Sequence, residues 1–396
     1  MLIFVLNAGY SSLKYQLIDI KSKELKASGL VERIGIDGIL KHEIGENKKL
    51  TFELPIPTHK EAIELVLRIL TNNETKVINS IDEIKAIGHR VVHGGEYFKG
   101  SVIVDDEVIR KIEELIPLAP LHNPANILGV KICKDLMPKV PNVVTFDTAF
   151  HQTMPMENFL YAVPYADYTE HHLRKYGFHG TSHYYVSQEA IKLLNKKDSK
   201  VIVCHLGNGS SVCAVKDGKS ISTSMGLTPL EGLVMGTRSG DIDAGVIPYL
   251  MEKKGLNHIQ ILDYLNKKSG ILGVSGVSSD LREVIKAAND GDKRSKIAIT
   301  MLCDRIKKYL CSYAGIMHGV DAICFTAGIG ENSDLIREKV CEGLEFMGIE
   351  IDKDKNSKRE KGNREINTKN SKTKIFVIPT NEELVIATDT YNLLKK

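Results

Sequence analysis

The sequence lacks three features that are typical of nucleic-acid-binding, secreted and membrane-spanning proteins. Its 53 Lys and Arg residues nearly balance its 50 Asp and Glu residues, so no excess of charge favours nucleic acid or a membrane surface. No apolar run approaches the roughly 18 residues that cross a bilayer. None of the seven cysteines forms a Cys-x-x-Cys pair, which argues against zinc and a disulfide framework. We therefore predict core thiols in a cytoplasmic protein without nucleic-acid or membrane partners.

The length and two similar segments point to a duplicated architecture. The 396 residues, 42% of them hydrophobic, exceed what a single domain comfortably needs, so we expect two domains. Residues 2–19 combine an apolar strand, a glycine turn and a second strand, and residues 201–224 repeat this plan around Gly207-Asn208-Gly209. Duplication of one half-molecule, with a nucleotide between the halves, explains the repeat; chance similarity of two hairpins is the alternative.

Hydrophobic periodicity and a polar loop set the expected domain boundaries. Apolar residues recur at helical spacing over residues 58–71. Further along, the strand from Val143 to Phe146 ends in a polar loop at Asp147. We therefore predict two domains, which are residues 1–147 with about 383–396, closed by the C-terminal helix, and a nucleotide-binding domain over residues 148–382.

A third glycine turn is the strongest nucleotide-binding candidate. An apolar strand is followed by Gly328-Ile329-Gly330-Glu331-Asn332, after which Ser333 opens an amphipathic helix that we expect Gly348 to cap. The N–H groups at a helix N-terminus bind anions, including phosphates. The pattern Gly-x-Gly-x-x-Ser nearly matches the dinucleotide fingerprint, so an NAD-dependent oxidoreductase stays an alternative, although the third glycine is missing.

Two arginines in glycine-rich turns and one aspartate after a strand are candidate substrate-binding groups. The turns carry Arg90 and Arg238, and a guanidinium there offers a rigid fork of donors to a carboxylate or phosphate. The structural alternative for Arg238 is an ion pair with Asp241 or Asp243. Asp147 stands where open α/β sheets collect catalytic groups, and its alternative role is that of a helix N-cap.

Several further segments are rich in glycine, histidine and small polar residues. With those above, and in chain order, they are Asn7-Ala8-Gly9 with Ser11-Ser12-Leu13-Lys14, His89-Arg90-Val91-Val92-His93-Gly94-Gly95, Pro120-Leu121-His122-Asn123-Pro124, Phe146-Asp147-Thr148-Ala149-Phe150-His151, Gly177-Phe178-His179-Gly180-Thr181-Ser182-His183, His205-Leu206-Gly207-Asn208-Gly209, Met225 through Asp243, Gly328 to Asn332, and Pro379-Thr380-Asn381-Glu382-Glu383. Over essentially its whole length, the chain resembles the acetate kinase family.

The resemblance implies a fold, cofactors and nucleotide-binding residues. The fold is the duplicated two-domain α/β fold of acetate and sugar kinases, heat-shock ATPases and actin, with the nucleotide in the interdomain cleft and a homodimer as the assembly. Asn7 and Glu382 match the site of Mg²⁺ (or Mn²⁺), and Lys14 matches a position near the nucleotide phosphates. The segments that match ATP-binding positions are His205-Leu206-Gly207-Asn208-Gly209, Asp280-Leu281-Arg282 and Gly328-Ile329-Gly330-Glu331-Asn332.

The resemblance also implies the residues that act on the acid. Arg90 matches the acetate-binding arginine and Asp147 the catalytic acid. His179 and Arg238 match the stabilisers of the transition state. The residues that match the small apolar pocket for the acetate methyl group are Val92, Leu121, Phe178 and Pro229. Tyr10 stands where the family usually has serine, which leaves nucleotide affinity at that turn open.

The expected reaction is direct in-line transfer of the γ-phosphoryl group from ATP to acetate. Because carboxylic acids ionise near pH ~4, acetate needs no strong base, and positioning with charge neutralisation must supply the catalysis. We therefore expect Asp147 to orient an arginine or the metal shell rather than to accept a proton. A propionate or butyrate kinase of the same family, and an actin- or heat-shock-like ATPase without an acid substrate, stay alternatives.

Overall fold

The computed structural model describes residues 1–45 and 48–395, and these form two compact units. The first unit comprises Met1–Phe150 with the C-terminal segment that starts at Asn381, and the second comprises His151–Thr380. Lys396, the last residue of the predicted closing segment, lies outside the described part. None of the described helices is long and apolar enough to cross a membrane.

The regular elements alternate along the described chain. The strands are β1 Leu2–Ala8, β2 Leu13–Asp19, β3 Glu24–Glu32, β4 Ile39–Ile44, β5 Lys48–Glu53, β6 Ile84–Val91, β7 Val102–Ile103, β8 Asn142–Phe146, β9 Lys200–Leu206, β10 Ser210–Lys216, β11 Lys219–Thr223, β12 Ala322–Thr326, β13 Arg364–Glu365 and β14 Lys374–Val377. The α-helices are α1 His59–Thr71, α2 Asp106–Glu114, α3 Asn123–Leu136, α4 Met156–Phe159, α5 Tyr165–His171, α6 Gly180–Leu194, α7 Val246–Lys254, α8 His258–Lys267, α9 Gly270–Ser275, α10 Leu281–Asn289, α11 Lys293–Met317, α12 Ala327–Asn332, α13 Asp334–Cys341, α14 Lys353–Ser357 and α15 Glu382–Leu394.

Each unit is built on one mixed sheet, and the two sheets share the order of their central strands. The first sheet has the order β5-β4-β3-β2-β1-β6-β8-β7 and the second the order β11-β10-β9-β12-β14-β13. In the first, β1, β6 and β8 run parallel beside an antiparallel hairpin. In the second, β9, β12 and β14 do the same. The duplicated α/β fold predicted from the sequence is confirmed.

Local sequence signals account for the helix predicted over residues 58–71. Thr58 accepts a hydrogen bond from the Lys60 N–H and so satisfies one of the unpaired donors at the start of α1. The apolar side chains at helical spacing are all buried in the core of the first unit, and they are Ala62, Ile63, Val66, Leu67 and Leu70. The prediction is confirmed, because this helix buries one continuous apolar stripe.

The C-terminal helix α15 packs on the first sheet, against β1, β6 and β8. Gly88 on β6 lies so close to it that an added side-chain carbon would be 2.6 Å from Ile386 Cγ2 and 2.8 Å from Thr390 Oγ1. Only a glycine allows this approach without displacing the helix. This close contact helps to position α15, which begins at Glu382, on the sheet.

The prediction of a glycine turn at residues 328–332 is wrong, because Ala327–Asn332 forms the helix α12. Gly330 packs against β12, where an added carbon would lie 3.3 Å from the Phe325 carbonyl carbon, so the glycine serves close packing rather than a turn. The prediction for Gly348 is also wrong. Helix α13 ends at Cys341, and Gly348, at φ +72°, terminates a 3₁₀ turn over Glu345–Met347 instead.

Candidate active site

In the first unit, the carboxyl ends of three adjacent parallel strands carry the predicted polar residues. Asn7 lies near the end of β1, Arg90 near the end of β6, and Asp147 directly after β8. The register places Leu6 opposite His89 and Val91 opposite Phe146. Because the strands run parallel, these ends meet at one edge of the sheet, where open α/β sheets form their sites.

Arg90 and Asp147 form a two-point ion pair at this edge. Arg90 donates from Nε to Asp147 Oδ1 over 2.9 Å and from Nη2 to Oδ2 over 2.5 Å, and Asp147 is only 1% exposed. Burial opposes the charge of Arg90, but the charge and hydrogen bonds of Asp147 outweigh it and raise the pKa of Arg90. Both carboxylate oxygens therefore accept from the arginine.

The N-terminus of α15 adds two more carboxylates to this region. Lys14 is ion-paired with Glu383, while burial raises the pKa of Glu382 to about 7. Arg90 lowers that pKa, and Asp147 and Glu383 raise it. We call Lys14, Arg90, Asp147, Glu382 and Glu383 the acidic cluster, because its carboxylates outnumber its cations when all are ionised. The surplus negative charge suits a cation.

The described residues form no group of three or more His, Cys, Asp or Glu side chains that could hold a metal ion. Mg²⁺ does not need such a group. It keeps several of its waters and uses one or two carboxylates together with substrate phosphates. The acidic cluster, in which Glu382 lies near Asp147 and Glu383, fits this mode of binding.

In the second unit, His179 and Arg238 converge on Gly209. His179 precedes α6 in the left-handed conformation, at φ +55°. A side-chain carbon built on Gly209 would lie 3.4 Å from Arg238 Nη1 and 3.7 Å from His179 Nε2. The ring of His205 stacks on that of His179, with centroids 4.1 Å apart. We call His179, His205, Gly209 and Arg238 the histidine–arginine cluster.

Arg238 carries its charge without a carboxylate partner. Nη1 donates to the Pro229 carbonyl oxygen over 3.0 Å, and among the described residues no ion pair joins Arg238 to an acid. Asp241 instead accepts from Tyr309 over 2.9 Å and pairs with Arg305, while Asp243 accepts from the Gly245 N–H. Neither predicted alternative partner is paired with Arg238 among the described residues. Burial lowers the pKa of Arg238. A half-buried cation without a counter-charge suits an anion.

The three segments expected to bind ATP meet at one small cavity in the second unit. Its lining includes Gly207, Leu281 and Ile329, one residue from each segment, together with Gly236. At Gly236 an added carbon would lie 1.8 Å from Asn208 Oδ1, so the glycine leaves room for that amide. The structure therefore brings these segments together, although they are far apart in sequence.

The other nucleotide-segment residues differ in exposure. Asp280 caps α10 by accepting from the Arg282 N–H over 2.9 Å, and Arg282 is an exposed side chain paired with the same carboxylate. Hydrogen bonds from the Arg282 side chain and backbone lower the pKa of Asp280 to about 2. Glu331 accepts from the N–H groups of Ala327 and Thr380, so the N–H at the start of α12 is already bonded.

The four residues expected to line the methyl pocket are divided between the units. Val92 is buried and Leu121 is 62% exposed in the first unit. Phe178 is buried and Pro229 half-buried in the second, where Pro229 contacts Arg238 through its carbonyl oxygen. Tyr10, on the first glycine turn, is 85% exposed.

Comparison with known proteins identifies the family. A family model, that of the Acetokinase family, matches residues 2–388. The chain belongs to the Acetokinase family. An acetate kinase of Treponema denticola is 55% identical over the whole of both chains. The crystal structure of Porphyromonas gingivalis acetate kinase has a TM-score of 0.95 at 47% identity, covering 99% of each chain. That of a propionate kinase from Francisella tularensis subsp. tularensis SCHU S4 has a TM-score of 0.93 at 46% identity, also covering 99% of each.

Membership of the Acetokinase family decides between the alternatives that the sequence left open. It excludes the NAD-dependent oxidoreductase, which had rested on the near-match at Gly328, and the actin- or heat-shock-like ATPase without an acid substrate. A propionate or butyrate kinase of the same family stays a minor alternative, because the propionate kinase structure matches almost as well as the acetate kinase structure.

Two polar residues of the site were missed by the sequence predictions. Asn126 on α3 is buried and bridges strand ends, since it donates to the Ala8 carbonyl oxygen over 2.7 Å and accepts from the Val92 N–H over 3.0 Å. Ser211 on β10 is fully buried between His179 and His183. Each is a polar residue on an otherwise apolar face, and this was the available signal.

Proposed function

We propose that this member of the Acetokinase family transfers the γ-phosphoryl group of ATP reversibly to acetate, giving acetyl phosphate and ADP. The observation that carries the proposal is the convergence of His179 Nε2 and the uncompensated Arg238 on Gly209, the last residue of a nucleotide segment. A phosphoryl group in transfer spreads negative charge over its equatorial oxygens, and two donors fixed at one point would stabilise that charge.

The acidic cluster supplies the other part of the proposed mechanism. Arg90, oriented by its two bonds to Asp147, would bind the acetate carboxylate. Asp147 then acts as the group that positions Arg90 and not as a base, because acetate is already ionised at neutral pH. Asn7 and Glu382 would hold Mg²⁺, or Mn²⁺, which would offset the charge of the β- and γ-phosphates. Lys14, which lies opposite Asn7 on the neighbouring strand β2, would contact the phosphates.

The size of the acid is the finer part of the proposal. If Val92, Leu121, Phe178 and Pro229 enclose the methyl group, each added methylene must displace packed side chains at a cost of about 1–3 kcal/mol. Burial of that methylene returns only about 0.8 kcal/mol. We therefore expect acetate to be preferred about tenfold over propionate and butyrate to be a poor substrate. The likeness to a propionate kinase makes propionate the competing substrate.

The test is to trap acyl phosphates with hydroxylamine in the presence of ATP, Mg²⁺ and acetate, propionate or butyrate. Wild type should show the highest kcat/KM with acetate, and Val92→Ala should narrow the gap by lowering the KM for propionate. Val163→Ala, which removes methyl groups from a half-exposed valine, is the matched control and should leave the ratio unchanged. Equal efficiency with propionate would assign a propionate kinase, and no trapped product with any acid would refute the kinase.

We further propose that the protein is a cytoplasmic homodimer and that the two compact units are its functional domains. The seven cysteines are unpaired thiols, as expected in a reducing compartment. Exposed apolar side chains on α7 and α8 (Tyr249, Ile259 and Leu262) offer a surface for a second copy. Light scattering on the purified protein should give twice the chain mass of 44.0 kDa, and a mass of one chain would contradict the dimer.

A further inference from the structure

A buried serine lies between two histidines beside the histidine–arginine cluster. Ser211 Oγ is 2.6 Å from His183 Nε2 and 2.9 Å from His179 Nδ1. Ser211 and His183 are both fully buried. A hydroxyl group has one proton, so it can donate to only one of these two ring nitrogens and must accept from the other. The direction of this relay therefore determines which nitrogen of His179 carries the proton.

The surroundings of His183 fix the direction of the relay. Its Nδ1 is buried without a hydrogen-bond partner among the described residues. An unpaired N–H at that position would be less favourable than an unpaired acceptor nitrogen. The single proton of neutral His183 therefore belongs on Nε2, which donates to Ser211 Oγ. Burial, and then the neighbouring His151 and His205, hold the pKa of His183 well below its usual value, which keeps the ring neutral.

The same count of donors and acceptors then assigns the proton of His179. Since Ser211 accepts from His183, its own proton is directed at His179 Nδ1, which must accept. His179 Nδ1 cannot also carry a proton, because two donors would then face each other over 2.9 Å. The proton of the neutral His179 ring is left on Nε2, the nitrogen that faces Gly209 beside Arg238.

We propose that Ser211 and His183 are positioning residues that hold His179 in its neutral form with the proton on Nε2, ready to donate to the transferring phosphoryl group. The assignment of the proton rests on the geometry of the relay alone. Its catalytic consequence rests on the proposed function. The two parts can therefore be tested separately.

The first measurement is the chemical shift of the histidine ring nitrogens in the full-length protein without substrate, with His179→Gln used to identify the His179 signals. We expect Nδ1 of His179 to give the shift of an unprotonated nitrogen and Nε2 that of a protonated one. In Ser211→Ala and His183→Leu the two forms should mix, whereas His183→Gln retains an amide donor and should restore the wild-type form. Ser220→Ala is the matched control, because it removes an equally buried hydroxyl that is 2.8 Å from His151 Nδ1. It should leave the His179 signals unchanged.

The second measurement is the rate with ATP and acetate. Ser211→Ala and His183→Leu should lower kcat about tenfold or more, with both KM values within threefold, and His183→Gln should recover most of kcat. If Ser211→Ala does not fold, the two His183 variants carry the test. A His179 proton on Nδ1 in wild type, or equal kcat in His183→Leu and wild type, overturns the positioning role. The expected nitrogen shifts in a protein that phosphorylates no acid would refute the proposed function and leave the relay standing.

Discussion

The two clusters differ in whether their arginine has a carboxylate partner. In the acidic cluster of the first unit, Arg90 is neutralised by Asp147, and a surplus of carboxylates remains. In the histidine–arginine cluster of the second unit, Arg238 donates to the Pro229 carbonyl oxygen and contacts Met235 Sδ, and no described carboxylate pairs with it. One cluster therefore has an excess of carboxylates, and the other has an arginine without a carboxylate partner.

This difference shows what each cluster is suited to bind. A buried charge without a partner is unfavourable in the isolated protein, and a ligand of opposite sign removes that cost. The acidic cluster suits a hydrated divalent cation, and Arg238 suits an oxyanion. Two sheets with the same order of central strands thus support two different electrostatic sites.

The largest expected effect is on Arg238. Arg238→Ala should lower kcat by about two to three orders of magnitude while leaving stability nearly unchanged, because no carboxylate is left unpaired. Steady-state kinetics measures kcat, and urea unfolding of the same preparation measures the stability. Arg294→Ala is the control, since this exposed arginine also donates to backbone carbonyls and should keep wild-type kcat. A higher KM for acetate with an intact kcat would contradict the role of Arg238.

The opposite behaviour is expected of Arg90. Arg90→Ala should raise the KM for acetate at least tenfold and also destabilise the first unit by about 3 kcal/mol, because it leaves Asp147 charged and buried. Adding Asp147→Asn should restore most of the stability but not the KM. Urea unfolding and acetate titration of both variants test this. If Arg90→Ala and Arg238→Ala cost equal stability, the contrast between the clusters is wrong.

A smaller effect is expected when the surplus of carboxylates is reduced. Glu382→Gln should raise the Mg²⁺ concentration for half-maximal rate about tenfold, because it removes a charge that supports the metal. Glu360→Gln, a change of the same kind at an exposed glutamate, should not. The measurement is the rate at increasing Mg²⁺ with ATP held saturating. An unchanged Mg²⁺ requirement would show that Glu382 acts only as the first residue of α15.

The smallest expected effect is a loss of stability at low pH, and we expect it in both units. Burial lowers the pKa of His89, beside Arg90, to about 4, and holds that of His183 well below normal. The unfolded chain binds these protons near pH ~6.5 and the folded chain only at lower pH, so stability is complete above that value and falls as the pH decreases. For His89 the loss between pH 7.5 and 5.5 is about 1 kcal/mol.

Urea unfolding at the two pH values measures this loss. His89 Nε2 lies 2.7 Å from Asn142 Oδ1, and His89→Gln keeps a donor for that oxygen. The variant should lose the part of the pH dependence of stability that comes from His89. Lys85→Gln, at an exposed position of the same strand, should retain the wild-type dependence. The same slope in His89→Gln as in wild type would mean that His89 is already protonated in the folded state.

The sequence by itself determined the elements with strong local signals and the family. The apolar stripe of α1, the paired strands around the two hairpins, and the start of α15 at Glu382 were all predicted and confirmed. These features depend on residues close together in the chain, whose periodicity and caps act before any tertiary contact forms. The order of the glycine-rich segments was enough to indicate the Acetokinase family.

The tertiary structure decided everything that depends on residues far apart in the chain. Gly330 became part of a helix because β12 requires close packing there, which local turn preferences could not indicate. Asp147 became the partner of Arg90, 57 residues away, and Arg238 was left without an acid although Asp241 is close in sequence. Charge pairing and proton placement depend on distances of a few ångströms, and the fold sets these distances by bringing separate strand ends together.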